Sequence, residues 1–464
     1  MTAPPARGRP AEGPPSKPIT PAPELRRELS GLDATAVVVG AIVGVGIFFT
    51  PSRVAGLAGS ADLAMWTWVI GGVIAMLGAL TFAELGALIP RAGGQYDVLR
   101  DAYGPATGFV YVVCNATAIQ AGAIGIIALV CVDNLAVVLV GESLARGPTL
   151  ASSVGLILGI ALANAAGVRW GARIQNLTVV AKLATLLAVT AVALLSDAAP
   201  PEVEAREAAT LSPIAGIAAA LVPVLFAFGG WQQVLWMGGE VQQPERNLPR
   251  AILAGVAIVV LVYLAANWAY FDLLGHAGVA SAPTLAADAV ASVHGDTGRR
   301  AIALAVAVSA LGVLNAQLLT GPRLLFALAR DGRFFPILGR VHASRGTPVP
   351  AILLLASTAT LLLLAAGADG IDRLLTGVVL VDAIFFALTG LASLVLIRRY
   401  PHRERPVRMP GFPFVPALFG LAEIGVIIGA WLDPNVRGAA VIGLIWMSAA
   451  LMVYLVRFRR GGGE

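Results

Sequence analysis

An apolar stretch interrupted by three glycines lies near the start of the chain, at Val37–Arg53. Gly40, Gly44 and Gly46 stand in its middle, and each glycine inside a helix costs about 1 kcal/mol relative to alanine. Lipid cannot hydrogen-bond to a freed backbone group, so irregular backbone is tolerated in a bilayer only where it lines a cavity. Two interpretations follow: the glycines form a Gly40-x-x-x-Gly44 helix-packing face, or the helix breaks at Val43–Ile47. A break would present the N–H groups and the positive dipole end of a half-helix to an anion.

The composition predicts an all-α polytopic membrane protein. The chain has 464 residues, of which 58% are hydrophobic and only 13% are charged, whereas a soluble domain carries about 25% charged residues. A membrane helix needs roughly 20 consecutive apolar residues. With that criterion the sequence predicts twelve spans, at about 32–57, 62–89, 105–140, 149–167, 173–196, 213–240, 249–274, 298–328, 349–367, 371–397, 414–432 and 437–457.

The distribution of arginine and lysine predicts the orientation, because basic residues concentrate in cytoplasmic loops. Of the 32 basic residues, 23 fall in segments on the side of the N-terminus and seven on the opposite side. We therefore expect a multi-pass protein of the cytoplasmic membrane with both termini in the cytoplasm. Residues 1–24 are polar and proline-rich and predict a disordered cytoplasmic tail. The membrane domain is expected at 25–458, followed by a C-terminal tail at 459–464.

A second interruption lies in the sixth span, where Ala227–Trp231 contains adjacent glycines. The first and sixth spans each open a group of five, at about 32–196 and 213–397, and an odd number of spans inverts the second group. Interrupted segments at matching places in two inverted halves point to a transporter site at the membrane midplane. This correspondence favours the break over the packing face. Spans 11 and 12, at about 414–457, follow the two repeats, and matching polar loops at 90–105 and 329–350 support them.

One lysine lies deep inside a predicted span. Lys182 is ten residues into the fifth span, roughly 15 Å along a helix, too far for one side chain to reach the cytoplasm. A lysine near the midplane costs about 3 kcal/mol on insertion scales, so we expect it to be functional.

Four other charged residues in or near the spans are less clear. Asp133 and Asp382 could face a cavity or an interface with water. Glu240 ends the sixth span and could form an inner-gate ion pair with a loop arginine. Arg323 is expected to reach water at the cytoplasmic end of the eighth span.

Several motifs spread from about Glu24 to span 12 occur together in this chain. They are Gly44-Val45-Gly46-Ile47-Phe48, Phe226–Trp231 with Glu240, Pro244–Arg250, Trp170–Gln175 with Ala181-Lys182-Leu183, Asn315 with Arg323 and Ala329–Gly332, and Arg405-Pro406 with Pro410–Pro413. Together they resemble the amino acid–polyamine–organocation transporters, and most closely their L-type amino acid transporter branch.

The resemblance implies a leucine-transporter-type fold of five plus five inverted helices that works by alternating access. It implies that backbone N–H groups face the substrate carboxylate, that carbonyls of the sixth span take the ammonium, and that an aromatic lid covers the substrate. It also places a lysine where sodium-coupled relatives hold a sodium ion, bridging spans 1 and 8. The substrate-binding residues it implies are Gly44, Val45, Gly46, Ile47, Phe226 (also the lid), Ala227, Phe228, Gly229 and Trp231. The gate and coupling residues are Phe226, Lys182, Asn315 and Glu240.

The sequence departs from that pattern at two positions. Val45 replaces the usual serine, which removes a hydroxyl contact to the carboxylate, and Gln232 stands where many L-type relatives have asparagine. Both departures bear on the substrate more than on the fold.

Four functions compete on the sequence alone. The first is a sodium-independent transporter of neutral amino acids, either an exchanger or coupled to protons through Lys182. The second is a carrier of cationic amino acids or polyamines, which would use Asp133 or Asp382 in the side-chain pocket. A channel would show a continuous polar stripe, and a membrane enzyme an acid–base constellation; the sequence shows neither.

The expected partners are an amino acid, the lipid bilayer and, as a candidate co-substrate, protons; the chain could also form homo-oligomers. We expect no nucleic acid, because the arginines lie in short loops. The sequence indicates no catalytic residue, cofactor or metal site, since the four histidines lack metal-ligand spacing.

Overall fold

The computed structural model describes residues 25–44, 46–48, 50–142, 144–196, 212–282, 284–402, 405–432 and 434–459. At 366–379 and at several positions in 430–439 only the backbone is described. The predicted tail at 1–24, residues 460–464 of the C-terminal tail and Val45 lie outside the described residues.

The described chain is built of α-helices joined by short connections. In chain order they are α1 (Gly31–Ile42), α2 (Thr50–Ala58), α3 (Ala61–Leu88), α4 (Gln95–Tyr103), α5 (Pro105–Cys114), α6 (Gln120–Val140), α7 (Arg146–Ala166), α8 (Val168–Leu195), α9 (Pro213–Phe228), α10 (Gln233–Trp236), α11 (Pro244–Ser281), α12 (Leu285–Thr320), α13 (Pro322–Arg330), α14 (Val349–Arg399), α15 (Phe414–Leu432) and α16 (Pro434–Val453). Single turns of other helix types supplement them: 3₁₀ turns at Gly46–Phe48 and Pro336–Gly339, and π-helical turns at Asn115–Ile119 and Tyr454–Phe458.

Nine helices in the described part of the chain are long and apolar enough to cross a membrane. Three shorter apolar helices, Gly31–Ile42, Val349–Ala365 and Phe414–Gly429, fall in the predicted spans 1, 9 and 11. The predicted spans 9 and 10 lie within the continuous helix α14. The polytopic helical architecture is therefore confirmed, and the count of twelve spans stays a prediction.

Both predicted helix breaks are present. The first span stops at Ile42 and resumes at Thr50, and the sixth stops at Phe228 before the single turn of α10. The two breaks touch each other at Gly230. This residue has a φ of 123°, and a Cβ there would lie 2.7 Å from the carbonyl oxygen of Ala41, so only glycine fits.

The two matching polar loops, at 90–105 and 329–350, meet at the same end of the helix bundle as the N-terminal segment before α1. The hydroxyl of Tyr96 in α4 donates to Asp331 at 2.6 Å, and Arg100 lies 3.2 Å from the same carboxylate. Arg100 also pairs with Asp97 at 2.8 Å. Burial raises the pKa of Asp97 to about 6, against the opposing pull of Arg100. The loops of the two repeats are thus joined by charge as well as by packing.

A buried ion pair closes the bundle on this same side. Glu240, in the turn after α10, accepts two hydrogen bonds from Arg323 of α13, at 2.8 and 2.9 Å, and both side chains have no exposed surface. The N-terminal segment covers the pair, because Leu29 donates its N–H to the Glu240 carbonyl at 2.9 Å. The prediction that Arg323 reaches water is therefore wrong: a carboxylate within the protein compensates its charge and holds it inside.

We expect Glu240→Leu to destabilise the folded protein by about 3–5 kcal/mol, because it leaves the Arg323 guanidinium buried without a counter-charge. The double variant Glu240→Leu, Arg323→Leu should recover most of this loss, since it removes both charges. Thermal unfolding of the purified proteins in detergent measures both effects.

The matched control is Arg169→Leu, which removes the exposed partner of Glu28 and should change stability by less than about 1 kcal/mol. A double variant that is no more stable than Glu240→Leu would contradict the ion-pair explanation.

Candidate substrate site

A cavity of about 370 Å³ lies where the two breaks meet. Its volume falls in the range of small-molecule sites, about 300–1,000 Å³. The wall combines backbone of the two breaks with side chains from α6, α12, α14, α15 and the π-helical turn at Asn115–Ile119. Of the site residues expected from the sequence, those that line the cavity are Gly44, Gly46, Phe226, Ala227, Gly229 and Trp231.

The carbonyl groups freed where α1 ends are bound by side chains from three other helices. The Lys182 ammonium donates to the Gly40 oxygen at 2.9 Å and to the Val43 oxygen at 2.7 Å. Tyr263 of α11 donates to Ile42 at 3.0 Å. Ser309 of α12 donates to the Gly44 carbonyl at 3.3 Å. A cation at this position also complements the negative end of the helix dipole.

Lys182 belongs to α8, and its fully buried side chain lies between α1 and α12. Its ammonium contacts α1, whereas its Cε lies against Gly312 of α12, where an added Cβ would come within 2.7 Å of the Cε atom. The lysine therefore occupies the space between the two helices that the family resemblance assigns to it, and only a glycine at position 312 leaves room for it.

The three glycines of the first break do different things. A Cβ on Gly40 would lie 1.7 Å from the side-chain amide nitrogen of Gln175, so this glycine packs α1 against α8. On Gly44 and Gly46 a Cβ would meet no atom closer than 3.5 Å. These two glycines leave the backbone open to the cavity. The packing interpretation therefore applies to Gly40, and the helix-break interpretation applies to Gly44 and Gly46.

The aromatic residues of the second break point in different directions. Phe226 lines the cavity and keeps 53% of its surface exposed. Trp231 also lines the cavity but is buried, and its ring contacts Phe386 at 5.4 Å between ring centroids. The Phe228 side chain packs outside the cavity, 5.6 Å from Trp68. Ile47 is likewise buried in protein.

Gln232 and Asn315 support the backbone around the site. The Gln232 side chain accepts a hydrogen bond from the Gly230 N–H at 3.1 Å and so holds the second break. Asn315 in α12 lies away from the cavity. Its amide group donates to Gly171 and to Gln175, both at 2.9 Å, and accepts from Asn164 at 3.0 Å. Asn315 thus ties α12 to α7 and α8 in the layer next to Lys182.

Six polar residues in the cavity wall were not assigned a definite role from the sequence. They are Asn115, Gln120, Gln233, Gln317, Asp382 and Glu423. Each is a polar residue inside an apolar span, a signal that by itself indicates function, and for Glu423 this signal went unused. Asp133, the other carboxylate considered, is not part of the cavity wall.

Comparison with known proteins agrees with this architecture. The family model described as amino acid permease matches residues 29–456. Large neutral amino acids transporter small subunit 2 of Mus musculus is 31% identical over 445 residues, covering 93% of this chain and 81% of the relative. The serine/threonine exchanger SteT of Bacillus subtilis (strain 168) is 28% identical over 445 residues, covering 94% and 98%. Asc-type amino acid transporter 1 of Homo sapiens is 29% identical over 431 residues, covering 90% and 80%.

The match extends from the N-terminal segment that covers Glu240 to the last helix, and it includes both helix breaks and Lys182. It confirms the predicted class of protein, a multi-pass membrane transporter and not an enzyme. The chain belongs to the amino acid permease family.

Proposed function

We propose that the chain is a sodium-independent amino acid transporter that exchanges substrates across the cytoplasmic membrane by alternating access, with both termini in the cytoplasm. One observation carries this proposal: two broken helices meet at a cavity of substrate size, beside a buried ammonium that occupies a cation position. Neutral amino acids are the favoured cargo, because similar proteins are named as a transporter of large neutral amino acids and an exchanger of serine and threonine.

The two breaks suit the common part of every amino acid. In our proposal, the N–H groups that follow Gly44 in the first break bind the carboxylate, since the Gly44 N–H itself donates to the Ile42 carbonyl at 2.7 Å. The carbonyls at Phe226–Phe228 bind the ammonium. This uses the dipole ends of half-helices, which attract opposite charges. Phe226 covers the substrate as a lid, and Trp231 bounds the space for the side chain. Val45, expected to belong to the carboxylate site, lies outside the described residues.

The ends of the cavity support alternating access. In the proposed orientation the fully buried pair of Glu240 and Arg323 lies on the cytoplasmic side, whereas Phe226 in the cavity wall is half-exposed. A carrier must close one side before it opens the other, so the ion pair would be the inner gate of an outward-facing state. A continuous pore is not compatible with such a closed end.

Lys182 explains why sodium is not required. A fixed ammonium already binds the carbonyls that a sodium ion would coordinate. Protonation of Lys182 could also couple transport to protons, but the exchange named for SteT favours the exchanger. Homo-oligomer formation stays a prediction.

We expect Gly46→Leu to abolish substrate binding without unfolding the protein. The new side chain would project into the cavity, because nothing lies within 3.4 Å of the Cβ position, and it would keep the carboxylate from the backbone. Binding of radiolabelled leucine to purified protein checks this. Gly56→Leu, at an open position outside the cavity, should bind normally, and normal binding by Gly46→Leu would refute the site.

We expect Phe226→Ala to slow transport more than it weakens binding, because an unsealed substrate can bind but cannot be carried through the occluded state. Uptake into proteoliposomes and equilibrium binding are compared for the same variant. Phe335→Ala is the control, since Phe335 is equally exposed, at 52%, but lies outside the cavity. If Phe226→Ala took up substrate at the parent rate, the proposed role of Phe226 as a lid would be refuted.

We expect uptake to be unchanged when choline replaces sodium, and Lys182→Ala to impair it severely. The variant leaves the Gly40 and Val43 carbonyls buried without a donor, at a cost of about 1–3 kcal/mol each. Lys17→Ala, at the chain's only other lysine, should behave as the parent.

The same liposomes separate the two modes of transport. An exchanger responds to internal substrate and ignores a protonophore, whereas a proton-coupled carrier loses uptake with it. A steep dependence on external sodium would exclude both modes.

A further inference from the structure

The segment Arg26–Ser30, here termed the strap, precedes α1 and runs beside the turn that carries Glu240. Within it, Leu29 forms a parallel β-bridge with Val241. The Leu29 N–H donates to the Glu240 carbonyl at 2.9 Å, and the Leu29 carbonyl accepts from the Gln242 N–H at 2.8 Å. The Leu29 side chain is buried. The middle of the strap is therefore bound to the backbone around one partner of the buried ion pair.

Other residues of the strap contact a different part of the bundle. The Glu28 carboxylate pairs with Arg169, in the first turn of α8, at 3.0 Å. The Arg26 guanidinium donates to the Ala343 carbonyl, in the loop before α14, at 3.3 Å. These contacts lie at the surface, since the Arg169 side chain is 71% exposed. The strap thus also reaches α8 and the loop before α14.

Both of these anchors are tied to the helices that carry Arg323, the second partner of the ion pair. The Thr347 hydroxyl, in the loop before α14, donates to the Ala165 carbonyl at the end of α7, at 3.0 Å. Asn315 of α12 donates to the Gly171 carbonyl of α8 at 2.9 Å, and α13 with Arg323 directly follows α12. The strap therefore connects the Glu240 turn to the unit that holds Arg323.

The contacts of the strap with these two units differ in strength. Backbone hydrogen bonds and apolar burial hold Leu29, whereas an exposed ion pair such as that of Glu28 contributes little. A segment held by few, mostly exposed contacts can open locally while the rest of the protein stays folded.

The bridge is followed directly by strained backbone. Gln243 has a φ of 43° and is the one non-glycine residue with a positive φ in the part of the chain that the structure describes. Strained backbone of this kind is frequent at switch regions. Its position next to the bridge is consistent with a turn that moves.

We propose that the strap is an outer layer of the cytoplasmic gate: it stays with the Glu240 turn and must release Arg169 and Ala343 before the cavity opens to the cytoplasm. This rests on the proposed function, because alternating access requires Glu240 and Arg323 to separate. When they do, the strap cannot stay bound to both units. The exposed contacts break first because they are the weaker ones.

The test locks the strap to α8. Glu28→Cys and Arg169→Cys are combined in a protein in which Cys114→Ala and Cys131→Ala remove the two native thiols. A bismaleimide with a disulfide in its linker joins the new cysteines, and mass spectrometry verifies the crosslink. We expect uptake of radiolabelled leucine into proteoliposomes to fall at least tenfold while leucine affinity stays within about twofold. A reducing agent, which cleaves the linker, should restore uptake.

The matched control joins a pair that does not span the gate. Thr284→Cys and Asp288→Cys replace a hydrogen-bonded pair at the end of α12 opposite to Arg323, and the same crosslinker should leave uptake unchanged. The single variants Glu28→Cys and Arg169→Cys, treated alike, show the effect of the adduct without a crosslink and should keep uptake within about twofold.

Three results would overturn the strap: uptake at the untreated rate by the crosslinked protein, loss of leucine binding together with uptake, or uptake that stays lost after the linker is cleaved. The proposed function is judged separately. If the untreated and crosslinked proteins both transport leucine, the strap fails and the proposed function stands. If neither the parent nor the untreated variant transports any amino acid, the proposed function itself fails.

Discussion

The carbonyl groups that α1 leaves free at its end are the constraint on which the rest of the site depends. A bilayer offers no water to them, so the protein has to supply donors. It does so from Lys182 on α8, Tyr263 on α11 and Ser309 on α12. These donors belong to helices far apart in the chain, so the break in one helix determines which helices must surround it.

The cavity is a consequence of that arrangement. Once α1 stops early, Gly230 of the second break can approach the Ala41 carbonyl, and the two breaks share one space. Gly44 and Gly46 keep their backbone open to this space, whereas Gly40 is used for packing against Gln175. The same short motif therefore serves two purposes, and only its last two glycines belong to the site.

Charge inside the bundle is handled in two ways. Arg323 and Glu240 neutralise each other with no exposed surface. Asp382 and Glu423 have no such partner among the described residues and face the cavity. The ion pair compensates its own charges, whereas burying an unpaired carboxylate costs several kcal/mol.

The sequence by itself determined the class of protein, both helix breaks, the deep position of Lys182 and most of the residues around the breaks. Those features are local: long apolar runs, glycines inside them and a lysine in mid-span carry their energetic cost wherever the helix lies. Only the tertiary structure decided which side chains contact each other and which ones face the cavity. It paired Arg323 with Glu240 rather than with water, turned Phe228 away from the cavity, and placed Glu423 in the wall of the same cavity as Asp382. Hydropathy reports how deep a residue lies along its own helix, but the direction of its side chain depends on how helices distant in the chain pack around it.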